Sequence, residues 1–298
     1  MPKEIEAKTI LNKTRHRDPW FLDDYTLNPY RACSFNCLFC YIRGSKYGEQ
    51  MERSLSVKTN AVELLQKQLK NKAKKEQHGI IVLASATDPY LKIEQELKLT
   101  RRLLEVILDF RFPVHIITRS DLVTRDLDLL KEINQQAVLP VDLLDKLKGG
   151  TIVSFSFSTL DDRTAKIFEP GATPPSLRLK ALEEVKQSGL TTGVSLMPLL
   201  PYISDTAENL EIFFSTFKNM QVDYLLPASL TLYGSDRADS KPLMMKAIEK
   251  HYPELKNKYD RLFGNSTQMP TYYKNAFAKK MKDLHTQYGI KNSIASIK

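Results

Sequence analysis

Six short apolar runs alternate with longer amphipathic stretches along this chain, and the alternation limits the folds that it can adopt. The runs predict strands at Tyr25–Arg31, Ile80–Ala84, Val114–Thr118, Thr151–Phe157, Thr192–Met197 and Tyr224–Pro227. Helical patterns lie between them, at Ala61–Glu76, Glu94–Phe110, Leu127–Leu147, Pro175–Ser188 and Thr206–Asn219. This alternation favours parallel βαβ units, and continuous apolar runs are typical of strands that are covered on both faces. Functional side chains then belong after the carboxyl ends of the strands.

All three cysteines of the chain fall in the loop after the first predicted strand, as Cys33, Cys37 and Cys40. A disulfide would leave one thiol over, and the chain has no further cysteine to pair with it. A structural zinc site needs a fourth ligand, and the nearest histidines, His16 and His78, are distant in sequence. Zinc therefore stays an open but unsupported alternative. The pattern favours an iron–sulfur cluster in which one iron lacks a protein ligand and binds substrate or cofactor.

Length and composition describe an ordinary globular protein. The chain has 298 residues, of which 42% are hydrophobic and 27% charged. It is long enough for one α/β barrel-like domain or for two ordinary domains. The N-terminal segment is charged and lacks the apolar stretch of a signal peptide, and no run approaches the length of a membrane span. Because clustered thiols stay reduced in the cytoplasm, we expect a cytoplasmic location.

Almost all of the excess positive charge lies in the last fifth of the chain. Residues 241–298 hold 12 lysines and arginines against 4 acidic residues, whereas the first 240 residues hold 32 against 31. Seven aromatic residues accompany them: Tyr252, Tyr259, Phe263, Tyr272, Tyr273, Phe277 and Tyr288. Lysines neutralise phosphates and aromatic rings stack on bases, so a nucleic-acid surface is a reasonable hypothesis. A solvated helical surface with inward-packing aromatics explains the composition equally well.

The cysteine spacing resembles the motif of the radical S-adenosylmethionine (SAM) superfamily, C-x3-C-x-aromatic-C, with Phe39 at the aromatic position. Other segments are similar to its spore photoproduct lyase-like group: Asn28–Ala32, Thr87–Tyr90, Thr118–Ser120, Ser156–Asp161 and Phe168–Pro170. This resemblance implies a partial, six-stranded parallel (β/α)6 barrel similar to a TIM barrel, with a C-terminal helical extension. We expect a lead-in at residues 1–20, a radical SAM core at 21–233 and a basic, aromatic-rich helical extension at 234–298.

By this resemblance, the three cysteines bind a [4Fe-4S] cluster and SAM chelates its open iron. The expected cofactor-binding residues are Phe39, Tyr41, Thr87, Asp88, Arg119, Ser156, Ser158 and Glu169. Asp88 would pair with the ammonium group of SAM, and Arg119 would grip its carboxylate with two hydrogen bonds. The alternatives are loop packing for the two aromatic residues, a chain turn for Asp88 and bracing of a neighbouring loop for Glu169.

The implied activity is reductive cleavage of SAM to methionine and a 5′-deoxyadenosyl radical, which abstracts hydrogen from a substrate. A lyase-like reaction in DNA repair is one hypothesis, with residues 241–298 contacting nucleic acid and a flavodoxin- or ferredoxin-like protein supplying the electron. Spore photoproduct lyase uses a further cysteine as hydrogen donor, and this chain has none, so repair of the spore thymine dimer is not expected. Tyr90 and Tyr233 are the candidate catalytic residues in its place. The alternatives are a peptide or small-molecule substrate, or a non-catalytic metal-cluster module that binds nucleic acid.

Overall fold

The computed structural model describes residues 2–45, 55–83, 86–264 and 266–295. Its strands are β1 Lys3–Ile5, β2 Leu11–Lys13, β3 Tyr25–Leu27, β4 Tyr30–Arg31, β5 Ser56–Lys58, β6 Ile81–Leu83, β7 Val114–Thr118, β8 Thr151–Phe157, β9 Thr191–Leu199 and β10 Tyr224–Ser229. Its α-helices are α1 Ala61–Ala73, α2 Glu94–Leu97, α3 Leu99–Asp109, α4 Leu127–Gln136, α5 Asp162–Phe168, α6 Pro175–Gln187, α7 Ala207–Asn219, α8 Ser240–His251, α9 Lys256–Phe263 and α10 Thr271–Tyr288.

Seven of these strands form one sheet, in the order β10-β9-β8-β7-β6-β3-β2. Within this sheet, the six strands β3, β6, β7, β8, β9 and β10 pair in parallel, and β2 pairs antiparallel with β3 at the edge. The prediction of an α/β fold with a mostly parallel sheet is therefore confirmed. The sheet has seven strands rather than six because Leu11–Lys13, inside the predicted lead-in, adds an edge strand. Three residues are too few to show a periodic pattern.

A second, small sheet has the order β1-β5-β4 and lies next to the cysteines in sequence, since β4 ends two residues before Cys33. Strands β1 and β5 pair in parallel, whereas β4 and β5 pair antiparallel. Residues 2–20 thus contribute a strand to each sheet. The domain boundaries at 20/21 and 233/234 stay predictions.

The helices cover the sheet with apolar faces. Helix α3 buries Leu99, Leu103, Leu104 and Ile107, a spacing that places them on one side of the helix. The predicted helix at Glu94–Phe110 is divided in two, because Lys98 adopts a left-handed conformation with φ of 49°. The leucine-rich stretch from Leu127 is helical only as far as Gln136, four residues before Pro140.

Two helix boundaries follow the signals in the sequence. Helix α6 begins at Pro175 and ends just before Gly189, which has a φ of 84°. Helix α7 begins after Thr206, whose side-chain oxygen accepts a hydrogen bond from the backbone N–H of Asn209 at 3.2 Å. No described helix is both long enough and apolar enough to cross a membrane.

The last part of the chain packs at two places on this core. Helices α8 and α9 share an apolar cluster with Phe39, Phe168 and Leu200. Helix α10 packs against α7 and β10. Beyond α10, the carbonyl of Lys291 accepts a hydrogen bond from the backbone N–H of Leu225 at 2.9 Å, on the outer side of β10.

Candidate active site

A cavity of about 470 Å³ opens where the parallel strands end. Its wall combines the cysteine loop with the turns after β6 and β7 and with the last residues of β8, β9 and β10. Nine of the predicted site residues line it: Cys33, Cys37, Phe39, Cys40, Tyr41, Thr87, Asp88, Arg119 and Ser156. The rule that ligands bind beyond the carboxyl ends of parallel strands therefore located this cavity correctly.

The cysteine loop is clamped by the segment that follows α5. The backbone N–H of Leu38 donates to the carbonyl of Phe168 at 2.8 Å, and that of Gly171 donates to the carbonyl of Phe35 at 2.9 Å. A Cβ atom on Gly171 would lie 2.3 Å from the carbonyl oxygen of Ser34. Only a residue without a side chain fits there, so the Phe-Glu-Pro-Gly segment positions the loop through its backbone.

The donor set fits an iron–sulfur cluster. None of the three cysteines is in a disulfide, and all three line the same cavity. Burial raises the pKa of Cys33 to about 12, so the free thiol is neutral and a cationic iron centre would offset the cost of its ionisation. Within the described residues, no three His, Cys, Asp or Glu side chains form a group that could hold a single metal ion. A four-iron cluster sets a different requirement, because each thiolate binds its own iron.

Asp88 stabilises the turn after β6 and also lines the cavity. Its carboxylate accepts hydrogen bonds from the backbone N–H groups of Tyr90 and Arg119, at 2.8 Å and 2.7 Å, and from the hydroxyl of Thr118 at 2.8 Å. Burial raises the pKa of Asp88 to about 6 despite these donors. The bond from Tyr90 closes the chain turn that was the alternative explanation for Asp88. Asp88 also lines the cavity, so pairing with the ammonium group of SAM stays a prediction.

Arg119 is held on three sides by the protein. Its Nη1 donates to Glu169 Oε2 at 2.6 Å, its Nη2 donates to the carbonyl of Met197 at 2.5 Å, and its guanidinium lies 5.2 Å from the ring centre of Phe39. Both terminal nitrogens are thus already engaged. These bonds use two of the five N–H groups of the guanidinium, so the predicted two-bond grip on a SAM carboxylate needs neither bond to break and stays a prediction.

Glu169 is fully buried between two arginines. It accepts hydrogen bonds from Arg119 and from the hydroxyl of Ser158 at 2.8 Å, and Arg178 Nη2 lies 3.1 Å from Oε1. Burial opposes ionisation of this carboxyl, but the two positive charges hold its pKa below the usual value. Glu169 and Ser158 do not line the cavity, so the geometry favours the bracing role for Glu169.

Two residues that line the cavity, Thr87 and Ser195, have buried hydroxyls without a hydrogen-bond partner in the described part of the chain. Ser195 pairs with Ser156 across β8 and β9, so these two hydroxyls come from neighbouring positions of the wall. Buried polar groups nearly always find a partner, and a ligand would supply it here. Ser195 was not predicted, although a serine within an apolar strand is a signal.

Two further residues contribute to the site, although neither was predicted as a site residue. Asn28 Oδ1 accepts hydrogen bonds from the backbone N–H groups of Ala86 and Thr87, at 3.0 Å and 3.3 Å, and so shapes the turn after β6. Asp23, before β3, lines the cavity as well, and burial raises the pKa of its carboxyl. These roles depend on contacts between distant segments, which no local pattern reveals.

The two candidate hydrogen donors lie away from the cavity wall. Tyr90 is fully buried, and its ring centre lies 5.9 Å from the guanidinium of Arg125. Tyr233 is half-buried, and its backbone N–H donates to the hydroxyl of Ser240 at 2.9 Å. Their catalytic roles stay predictions that the geometry does not support.

Comparisons with known proteins agree with this site. Residues 27–211 match the Radical SAM superfamily. The uncharacterized protein Rv2578c of Mycobacterium tuberculosis is 26% identical over 292 residues, covering 96% of this chain and 80% of that protein. The uncharacterized protein ORF301 of Acidianus two-tailed virus is 30% identical over 258 residues, which is 80% of each chain.

Among solved structures, spore photoproduct lyase complexed with dinucleoside spore photoproduct superposes with a TM-score of 0.60. The alignment covers 93% of this chain and 78% of that one at 16% identity, so it shows a shared fold.

The family match covers the cysteine loop and runs from the end of β3 into α7. Enzymes of this superfamily use a [4Fe-4S] cluster and SAM, and they need an electron donor. The cysteine spacing, the thiols that share one cavity and the family match lead to one conclusion: this chain belongs to the radical SAM superfamily.

Proposed function

We propose that the protein cleaves SAM reductively and uses the resulting radical to abstract hydrogen from a substrate at the cavity mouth. The observation that carries this proposal is the shared cavity, which three free thiols line together with Thr87 and Ser195, whose buried hydroxyls have no partner among the described residues. When bound, the cluster and SAM supply the 5′-deoxyadenosyl radical, and the protein supplies binding, orientation and exclusion of water.

The residues divide this work by position. Cys33, Cys37 and Cys40 would hold the cluster. Asp88 faces the cavity as a carboxylate that can pair with an ammonium group. The hydroxyls of Thr87, Ser156 and Ser195 would donate to or accept from the polar groups of SAM. Phe39 and Tyr41 line the same wall, where their rings can pack against the cofactors.

We also propose that the parallel strands curve into a partial barrel. Leu22, just before β3, lies in one apolar cluster with Tyr224 and Leu226 of β10, although these strands stand at nearly opposite ends of the sheet order. A flat sheet would keep such residues apart. Curvature brings the ends of the sheet around one interior, and the cavity lies at the carboxyl end of that interior.

For the substrate, we propose a nucleic acid and a lyase-like reaction. The basic residues 241–298 support this choice, since phosphates attract such a segment. The lyase that shares the fold was solved with a dinucleoside photoproduct. With all three cysteines committed to the cluster, no thiol remains as hydrogen donor, so the substrate is proposed to differ from that photoproduct. A flavodoxin- or ferredoxin-like donor in the cytoplasm would supply the electron.

The first experiment is anaerobic reconstitution with iron and sulfide, followed by addition of SAM and dithionite and chromatography of the products. We expect 5′-deoxyadenosine from the wild type and none from Cys37→Ala. Lys282→Ala, an exposed change on α10, is the matched control and should keep the activity. An intact, reducible cluster that leaves SAM uncleaved, with or without nucleic acid, would contradict the proposal and favour a binding module.

A further inference from the structure

Three tyrosines and two basic residues form a surface patch, which we call the tyrosine platform: Tyr202, Tyr272, Tyr273, Lys258 and Arg261. Tyr202 and Tyr272 are 37% and 65% exposed, so both rings have accessible surface. The rings of Tyr202 and Tyr273 meet edge to face, 6.2 Å apart. The Nζ of Lys258 lies 4.8 Å from the centre of the Tyr202 ring.

The platform is held in place by Asp205. Its carboxylate accepts a hydrogen bond from the backbone N–H of Tyr202 at 2.6 Å and another from the hydroxyl of Tyr273. Tyr202 itself has a φ of 61°, in the left-handed region that tyrosine rarely adopts. A strained residue kept by its surroundings is a sign of a positioned side chain. The exposed ring is therefore presented in a fixed orientation.

The platform rests on the same apolar cluster as the cysteine loop. Phe39, Tyr259 and Tyr273 belong to that cluster, and the hydroxyl of Tyr259 donates to the carbonyl of Pro201 at 3.0 Å. Pro198 lines the cavity, and Tyr202 follows only four residues later. A polymer lying on the platform would thus pass close to the cavity mouth.

The aromatic residues of the basic segment do not all pack inward. Tyr259 and Phe263 are buried, and Tyr252 stacks on Phe168 with ring centres 5.9 Å apart. Tyr272, in contrast, points to solvent from the first turn of α10. The inward-packing explanation therefore accounts for the other rings of this segment but not for Tyr272.

We propose that the tyrosine platform binds single-stranded nucleic acid, with unpaired bases stacked on Tyr202 and Tyr272 and phosphates near Lys258 and Arg261. Exposed aromatic rings between cations are how proteins hold single strands without reading their sequence. A cation over one face of a ring leaves the other face for a base. The proposal rests on the proposed function for the nature of the substrate and adds the surface that would deliver it.

Binding is measured with the full chain by fluorescence anisotropy, using labelled dT and rU oligomers of equal length and a duplex of the same length. We expect both single strands to bind more tightly than the duplex, because DNA and RNA single strands share the stacking bases and phosphates that the platform would contact. Tyr202→Ala and Tyr272→Ala should each weaken binding at least about fivefold. Tyr202→Phe keeps the ring and should bind like the wild type.

Trp20→Ala is the control for exposed rings. Trp20 is 39% exposed and precedes β3, at the amino end of the parallel strands, whereas Tyr202 follows the carboxyl end of β9, so the loss of Trp20 should leave the affinity unchanged. Thermal melting checks that each variant is folded. Unchanged affinity in both alanine variants, or a preference for the duplex, would overturn the platform. SAM cleavage without nucleic acid is measured separately, so failure of the platform and failure of the proposed function are distinguishable.

Discussion

Glu169 and Arg119 form an ion pair of 2.6 Å beside Phe39, with the carboxylate fully buried. The pair joins two segments that the cavity needs, the turn after β7 and the loop after α5. That loop also clamps the cysteines through its backbone. The carboxylate of Glu169 therefore holds together the segments that form the cofactor site.

Replacement of Glu169 by glutamine should destabilise the protein by roughly 3 kcal/mol or more, because the positive charges of Arg119 and Arg178 would stay buried without a counter-charge. Urea unfolding gives the change in the free energy of unfolding. Glu249→Gln is the matched control, since Glu249 pairs with Lys256 at 3.7 Å on the surface and should cost less than about 1 kcal/mol. Equal effects of the two changes would mean that the buried pair does not brace the fold.

Gly171→Ala should lower the iron bound after reconstitution, because the added Cβ would push against the carbonyl of Ser34 in the cysteine loop. Iron and sulfide analysis per chain measures the effect. Gly189→Ala provides the control: no atom lies within 4 Å of its added Cβ, but its φ of 84° strains an alanine. That variant should lose about 1 kcal/mol of stability and keep its iron. Full iron loading of Gly171→Ala would show that the clamp tolerates displacement.

Ser195→Ala should weaken SAM binding several-fold while leaving stability nearly unchanged, since its hydroxyl has no partner in the described residues. Equilibrium dialysis with reconstituted protein gives the dissociation constant. Ser154→Ala, on the neighbouring strand β8, should lower the stability and leave SAM binding nearly unchanged. Its hydroxyl is hydrogen-bonded to His115 at 2.7 Å and to Tyr224 at 2.5 Å. A Ser195 variant with wild-type affinity would place SAM away from this wall.

His115 should make stability fall on acidification. Its Nδ1 lies 2.8 Å from the carbonyl of Phe21, which only accepts, so Nδ1 carries the hydrogen and Nε2 accepts from Ser154. Burial lowers the pKa of His115 to about 4. Between pH 6.5 and 4 the unfolded chain therefore binds a proton that the folded protein excludes, and stability decreases as the pH falls through this window.

Urea unfolding at a series of pH values measures this loss, which should reach roughly 3 kcal/mol at pH 4. His115→Asn should remove this dependence of the free energy of unfolding on pH. His16→Asn, at an exposed position, should keep it. An unchanged slope in the His115 variant would assign the acid sensitivity to other groups.

The sequence located the parallel strands and the cavity because both depend on local patterns. Apolar runs mark buried strands, and residues that follow such runs must meet at one end of the sheet. The left-handed Lys98 and the three-residue strand β2 carry no such pattern, so they were not predicted. Arg178 is a polar residue in a helix by its sequence, and only the fold shows that it is buried against Glu169.

Tyr90 was predicted at the site but does not line the cavity. Its position after β6 placed it near the cavity, but the Asx turn at Asp88 carries the chain away, and the ring lies under Arg125 instead. Residue order predicts which segment reaches the site, whereas turn geometry decides which side chains face it.

The two ends of the described chain occupy opposite borders of the large sheet: β2 covers β3, and the segment with Lys291 covers β10. Uncovered strand borders recruit strands from other molecules. A fragment trimmed to Tyr25–Ser229 would keep all three cysteines, yet we expect it to aggregate. We therefore expect the short terminal segments to limit self-association, so that fusion partners are better joined through linkers than by shortening either end.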